Sequence, residues 1–218
     1  MDKYCLTDES IVVSGHRLYR IQALVDIPLA SVEAGSLGGF VESENNLSQS
    51  GHAWVYENAC VFDQAKVFSN ARVMGRAKIS EHAEIFGNAM ISGQATINGE
   101  AKIYDNAAVS DNATIRDQAK VFGDAKVRGD AKIFGSAKVF DNARVFGNAY
   151  IYDRARINGS ARVCNHADIC GNSVVFGNAI ICDHARVHGS SEISGTAIIH
   201  GRADAYDCVK DSGYLDLV

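Results

Sequence analysis

From Gly51 to Tyr206 the chain repeats one six-residue rule, [Gly/Asp]-x-Ala-x-[Val/Ile]-x, through 26 consecutive hexads without an insertion or deletion. The third slot is Ala from Ala53 to Ala203 except at Ser173 and Ser191, and the fifth is Val or Ile from Val55 to Ile199 before ending in Ala205. In an extended segment, residues two apart point to the same side, so Ala and the β-branched residue share one face and their neighbours take the other. The first slot, Gly in 15 hexads and Asp in 7, is followed mostly by polar residues and supplies backbone that tolerates left-handed dihedrals. The pattern therefore predicts short strand, tight corner, short strand. A helix is excluded, because six is not a multiple of 3.6 and the Gly slots would break it repeatedly.

A six-residue unit buries its Ala and Val only by coiling on itself. Three short strands around a triangular core make an 18-residue coil, and stacked coils share parallel ladders about 4.8 Å apart. The 156 residues of the repeat give between eight and nine coils and a rod on the order of 40 Å long. The expected fold is all-β: a single left-handed parallel β-helix, preferred because right-handed forms use longer, irregular coils, although the usual crossover handedness runs the other way. Residues 1–50 depart from the rule. Their β-type runs, Lys3 to Leu6 and His16 to Ile27, read as a cap on the open first coil. Residues 207–218, apolar at Val209, Tyr214, Leu215, Leu217 and Val218, read as a tail that covers the other end or docks on a neighbour.

The unit Val61-Phe62-Asp63-Gln64-Ala65-Lys66 and its relatives resemble the hexapeptide repeat of left-handed β-helix proteins. The stretches Leu37-Gly38-Gly39-Phe40-Val41-Glu42, Asn46-Leu47-Ser48 and Ala53-Trp54-Val55 resemble the opening of YdcK-like proteins of enterobacteria and phages, which carry a transferase label. That resemblance implies a comparison with hexapeptide-repeat acyltransferases. Those are trimers that hold coenzyme A between neighbouring helices, use a His as general base and commonly extrude a loop from the coils. Here no loop interrupts the hexads. Under the transferase reading, His184 and His166 are the candidate bases, with coenzyme A or acetyl-coenzyme A as cofactor. His82, His188 and His200 also lie in or beside the coils.

Residues 18 apart stack, so each outward column can be read off the sequence. Phe68, Phe86, Tyr104, Phe122 and Phe140 form one column, continued by Asn158 and Phe176. Lys66, Glu84, Lys102, Lys120, Lys138 and Arg156 run beside it. An aromatic stripe of this length is either a self-contained ladder covered by Lys stems or an interface between copies. The interface is the preferred reading, making a dimer or trimer through Phe68, Phe86, Tyr104, Phe122, Phe140 and Phe176. A nucleic-acid platform is not expected for a chain of net charge −5, though bulk charge says nothing about a local basic stripe.

Cys164-Asn165-His166 and Cys182-Asp183-His184 are also 18 apart. Cys and His are the types zinc selects, and Cys164, His166, Cys182 and His184 could close a site. The spacing is not a recognised zinc pattern, so repeat drift is the simpler reading and no metal is required. Asp168, Arg186 and Asp204 read as an alternating ion ladder. Asn70, Asn88, Asn106, Asp124, Asn142 and Asn178 read as a corner ladder of amides. Thr96 and Thr114 are too few for the outward Thr arrays of ice-binding β-helices.

Apolar residues make up 47% of the 218, enough for a real core. No run reaches membrane-span length, and the opening Met1-Asp2-Lys3-Tyr4-Cys5 lacks a signal-peptide layout. A cytoplasmic protein with its six cysteines as thiols is expected. Two function classes follow: a rigid scaffold holding a protein partner or small ligand on its faces or between protomers, and a coenzyme A-dependent acyltransferase. A phage-type ligand-sequestering role is a third.

Overall fold

In the computed structural model, which describes residues 2–215, three parallel sheets run the length of a triangular solenoid. They contain 12, 10 and 9 strands, including the added strands at both ends. We name them, in that order, by an early rung: the Cys60 sheet, the Trp54 sheet and the Lys66 sheet. Each rung pairs with the one 18 residues on, as Lys102 does with Lys120 and Lys120 with Lys138. The hexad rule is thus a direct image of the coil.

The corner makes the coil possible. All 26 first-slot residues have positive φ, from 53° at Glu57 to 75° at Gly51. A hydrogen bond from the third-slot amide to the preceding sixth-slot carbonyl closes many of these turns, as from Ala107 to Tyr104 at 3.3 Å. Acid and glycine divide the work between coils. The amides of Gly99, Gly123, Gly129 and Gly135 donate to the carboxylates of Glu81, Asp105, Asp111 and Asp117, one coil earlier, at 2.9–3.2 Å. A Cβ on Gly99 would in turn lie 2.5 Å from the backbone nitrogen of Asp117. The acid satisfies an amide that the ladder leaves over, and the glycine gives the next corner room.

The third- and fifth-slot side chains fill the axis and are fully buried from Ala53 to Ala203. The two exceptions to Ala are explained locally: the hydroxyl of Ser173 donates to the Cys170 carbonyl at 2.7 Å, and that of Ser191 to the His188 carbonyl at 2.8 Å. A hydroxyl so bonded is accepted in the core where a free one would be costly.

At the N-terminal end, strands β1 (Tyr4–Val13) and β2 (His16–Ala23) form an antiparallel hairpin, and β2 pairs antiparallel with β3 (Leu37–Val41). β3 then pairs parallel with the rung at Cys60, and Leu47 bridges Val67. The first coil therefore starts inside the non-repeating segment, with the hairpin closing the edge of the Cys60 sheet. Tyr4 packs edge-on against Trp54 at 6.2 Å and donates its hydroxyl proton to the Leu47 carbonyl at 2.7 Å, while the Lys3 ammonium donates to the Ala53 carbonyl at 2.9 Å. Burial pulls the Lys3 pKa down to about 8.

At the other end, Val209–Lys210 and Tyr214–Leu215 add rungs to the Lys66 and Trp54 sheets. Glu192 pairs with Val209 and Ile198 with Tyr214, so this last partial coil is tightened by one and then two residues. Leu217 and Val218 lie outside the described residues.

Deleting most of one buried rung side chain should be felt along the whole rod. Ile103→Ala is expected to cost about 2–5 kcal/mol in urea unfolding. Asp117→Ala, which leaves the Gly135 amide to water, should cost about 0.5–1.5 kcal/mol. A larger loss for Asp117→Ala than for Ile103→Ala would contradict this division between core and corner.

Candidate functional site

The register converts the aromatic stripe into a stack. Phe68, Phe86, Tyr104, Phe122 and Phe140 follow one another with ring centroids 4.9 Å apart and planes within 6° of parallel. All five are half-buried. Each ring covers the next, and the column leaves a straight apolar strip along the sixth slot of the Lys66 sheet. Asn158 ends the stack, and Phe176, though half-buried in the same column, has no ring partner among the described residues. Lys102, beside the column, pairs with Glu84 at 2.7 Å.

The Cys and His pairs stack in the same way without converging. The rings of His166 and His184 lie 4.8 Å apart and 16° from parallel, and the Cys182 thiol points to the Asp183 carboxylate at 3.9 Å. Among the described residues, no three of these four bring their ligand atoms within 4.8 Å of one another. The reason is positional: each Cys sits in the outward sixth slot of a sheet face and each His at the second slot, on the corner. Burial first, and then the Asp183 carboxylate, push the Cys182 thiol up to about 11. A thiol held protonated at neutral pH is a poor nucleophile and metal ligand. His200, two coils from Cys164, packs edge-on against Tyr214 at 6.0 Å.

The expected ion ladder forms in part: Arg186 approaches Asp168 at 3.9 Å, whereas Asp204 pairs with His188. The amide ladder runs from Asn70 through Asn88 and Asn106 to Asp124, each step 3.0 Å. His52 caps it at 3.1 Å from Asn70.

With the coil geometry in place, the comparison with known families becomes specific. Residues 149–165, nearly one full coil, match the family model described as the YdcK beta solenoid repeat. That match and the parallel solenoid fit a YdcK-like repeat protein. No curated protein matches the chain. The 18-residue coil accounts for the columns above, since any residue type repeated in one slot becomes a stripe 18 residues in period. No helix among the described residues is long and apolar enough to cross a membrane.

One cluster owes nothing to the period. His16 on β2, Glu42 just after β3 and Asp63 at the first corner of the Cys60 sheet form the one group of three potential metal ligands found among the described residues. The imidazole, however, gives one nitrogen to each carboxylate, Nδ1 to Glu42 at 3.1 Å and Nε2 to Asp63 at 3.2 Å. The other Glu42 oxygen accepts the Asp63 amide at 2.7 Å. The imidazole is held between two carboxylates, hydrogen-bonded through Nδ1 to Glu42 and ion-paired through Nε2 with Asp63 when protonated. It ties the hairpin to the first coil, and Phe62 lies against the ring at 5.3 Å.

The hydrogen bond to Glu42 raises the His16 pKa above 6.5, and the same bond holds Glu42 below 4.5. His16 therefore contributes stability that is complete below its unfolded value and is lost as pH rises through its folded value. Glu42 contributes stability that is complete above its own unfolded value and is lost as pH falls through its folded one. The melting-temperature gap between the protein and His16→Ala should be widest between pH 4.5 and 6.5 and close on the alkaline side. A gap independent of pH would refute the charged clasp.

Proposed function

We propose that the protein is a rigid scaffold that associates with copies of itself through the aromatic column. A protein partner or small ligand would be held on its remaining faces or in the grooves between protomers. The observation that carries this reading is the five-ring stack, a straight apolar strip held in register by the backbone ladder. A half-covered strip of this kind gains by meeting a second one, because the outer ring edges are then withdrawn from water. The Lys stems alongside can cover the margins while their ammonium groups stay solvated.

The uninterrupted coils favour the scaffold over a catalytic reading. One open corner groove, of about 420 Å³, is lined by Gly135, Ser136, Asp153, Arg154, Gly171 and Asn172. Acyl transfer needs a base and an acceptor site that converge on one reacting centre. The stacked His166 and His184 occupy a corner.

Tyr104→Asp together with Phe122→Asp should give a soluble, folded monomer by light scattering, where the unaltered protein is a dimer or trimer. An unchanged mass would end the interface reading. A melting-temperature series with acetyl-coenzyme A, coenzyme A and nucleotides separates the alternatives, because a ligand that binds only the folded state raises its apparent stability. The scaffold reading predicts no saturable shift with acetyl-coenzyme A. A shift abolished by His184→Ala or His166→Ala would replace it with acyl transfer, and a shift with nucleotides alone would favour ligand sequestration.

A further inference from the structure

The net charge of −5 conceals a separation of charge by slot. Within the 26 hexads, 12 of the 16 acidic residues occupy corner slots, while 14 of the 17 Lys and Arg occupy the outward slots of the faces. Between Glu84 and Asp168 no face slot carries an acid at all. The rod has basic faces bounded by acidic edges.

On the Trp54 sheet the face is free of acids altogether. Neither of its outward columns holds an Asp or Glu from Trp54 to His200. Lys126, Arg144 and Arg162 are direct neighbours on three successive coils, and Arg128 stands in the adjoining column. Like charges placed directly opposite across a parallel ladder are destabilising. A rod selected for stability alone would alternate them, as Asp168, Arg186 and Asp204 do on the Cys60 sheet. Among the described residues none of the four cations has a carboxylate within 4.0 Å. Two of them instead flank one ring: Arg128 and Arg162 lie over Phe146 at 5.2 and 5.9 Å. Lys126, Arg128, Arg144 and Phe146 line a shallow groove of about 180 Å³.

We propose that this face binds single-stranded nucleic acid, its backbone running along the rod axis. Phosphates would meet Lys126, Arg144 and Arg162, since guanidinium forks match phosphate oxygens in pairs. Bases would pack on Phe146 and the guanidinium planes around it, a contact that a polyanion without rings cannot make. The edges argue for one strand over two. Asp124 and Asp130, tied into their own corner ladders by Asn106 and Asn112 at 3.0 Å, flank the face on either side. A duplex would lay its second strand against them. The site lies on a different sheet from the aromatic column, so it stands whether or not the protein self-associates.

The test is fluorescence anisotropy with a labelled oligothymidine of about 15 nucleotides, long enough to span the patch. Binding should be saturable and weaken about 20- to 50-fold between about 50 and 200 mM salt, as three or four neutralised phosphates on a single strand require. Arg144→Glu with Arg162→Glu should weaken it at least about tenfold, and Arg144→Gln with Arg162→Gln should do so with an unaltered melting curve. Lys66→Glu with Lys78→Glu, the same charge change on the other two sheets, should stay within about twofold. The proposal is overturned by absence of saturable binding, by equal loss in the Lys66 and Lys78 variant, or by competition from a duplex or inorganic polyphosphate as effective as that from unlabelled oligothymidine.

Discussion

Everything in this molecule depends on a backbone turn closed at every sixth residue. The positive φ at each first slot bends the chain by one corner, and three corners return it above its starting point. Once the corners are fixed, the Ala and Val or Ile between them have one place to go, and the ladder hydrogen bonds follow without further choice. The cost of left-handed backbone at Asp, Glu, Ser and Asn is met locally where a corner carboxylate captures the first amide of the next coil, as Asp111 captures that of Gly129. Corner and core are one device: glycines and acids at the corners let coils approach closely enough for small Ala side chains to be fully buried along the axis.

A period this strict has a second effect. A residue type that recurs in an outward slot does not scatter over the surface but becomes a straight line at coil spacing. The aromatic stack, the amide ladder, the stacked histidines and the row of cations on the Trp54 sheet are all instances. Some lines support themselves, because rings can cover one another and amides can bond in series. A line of like charges cannot, and it holds its potential for something outside the chain. The acidic corners sharpen this contrast and keep each face electrically distinct from its neighbours.

The period made the sheets, the 18-residue pairing and the stacked columns legible in the sequence, because each follows from slot position alone. The same arithmetic is silent where the chain leaves the rule. The Glu42 and Asp63 carboxylates that hold His16 come from segments with no common spacing, and only the hairpin brings them together. Leu37 to Val41 already forms a rung of the first coil, displaced by a two-residue insertion, and the final coil is shortened at Val209 and Tyr214. For Cys164, His166, Cys182 and His184 the spacing correctly implies stacking, but convergence depends on slot: sixth-slot and second-slot side chains leave the coil in different directions. The segregation of charge between faces and edges was present in the slots yet invisible in the net charge, which averages over them.

The most direct test of this account is disulfide trapping along a single column in a variant whose six native cysteines are replaced by alanine or serine. With Lys120→Cys and Lys138→Cys on adjacent coils, Cα atoms near 4.8 Å apart fall within the range a disulfide accepts, so oxidation should cross-link the pair rapidly and without loss of melting temperature. Lys102→Cys with Lys138→Cys, two coils apart, should remain reduced within the molecule. Efficient intramolecular cross-linking of the second pair, or failure of the first, would contradict the 18-residue register from which the faces, edges and columns all derive.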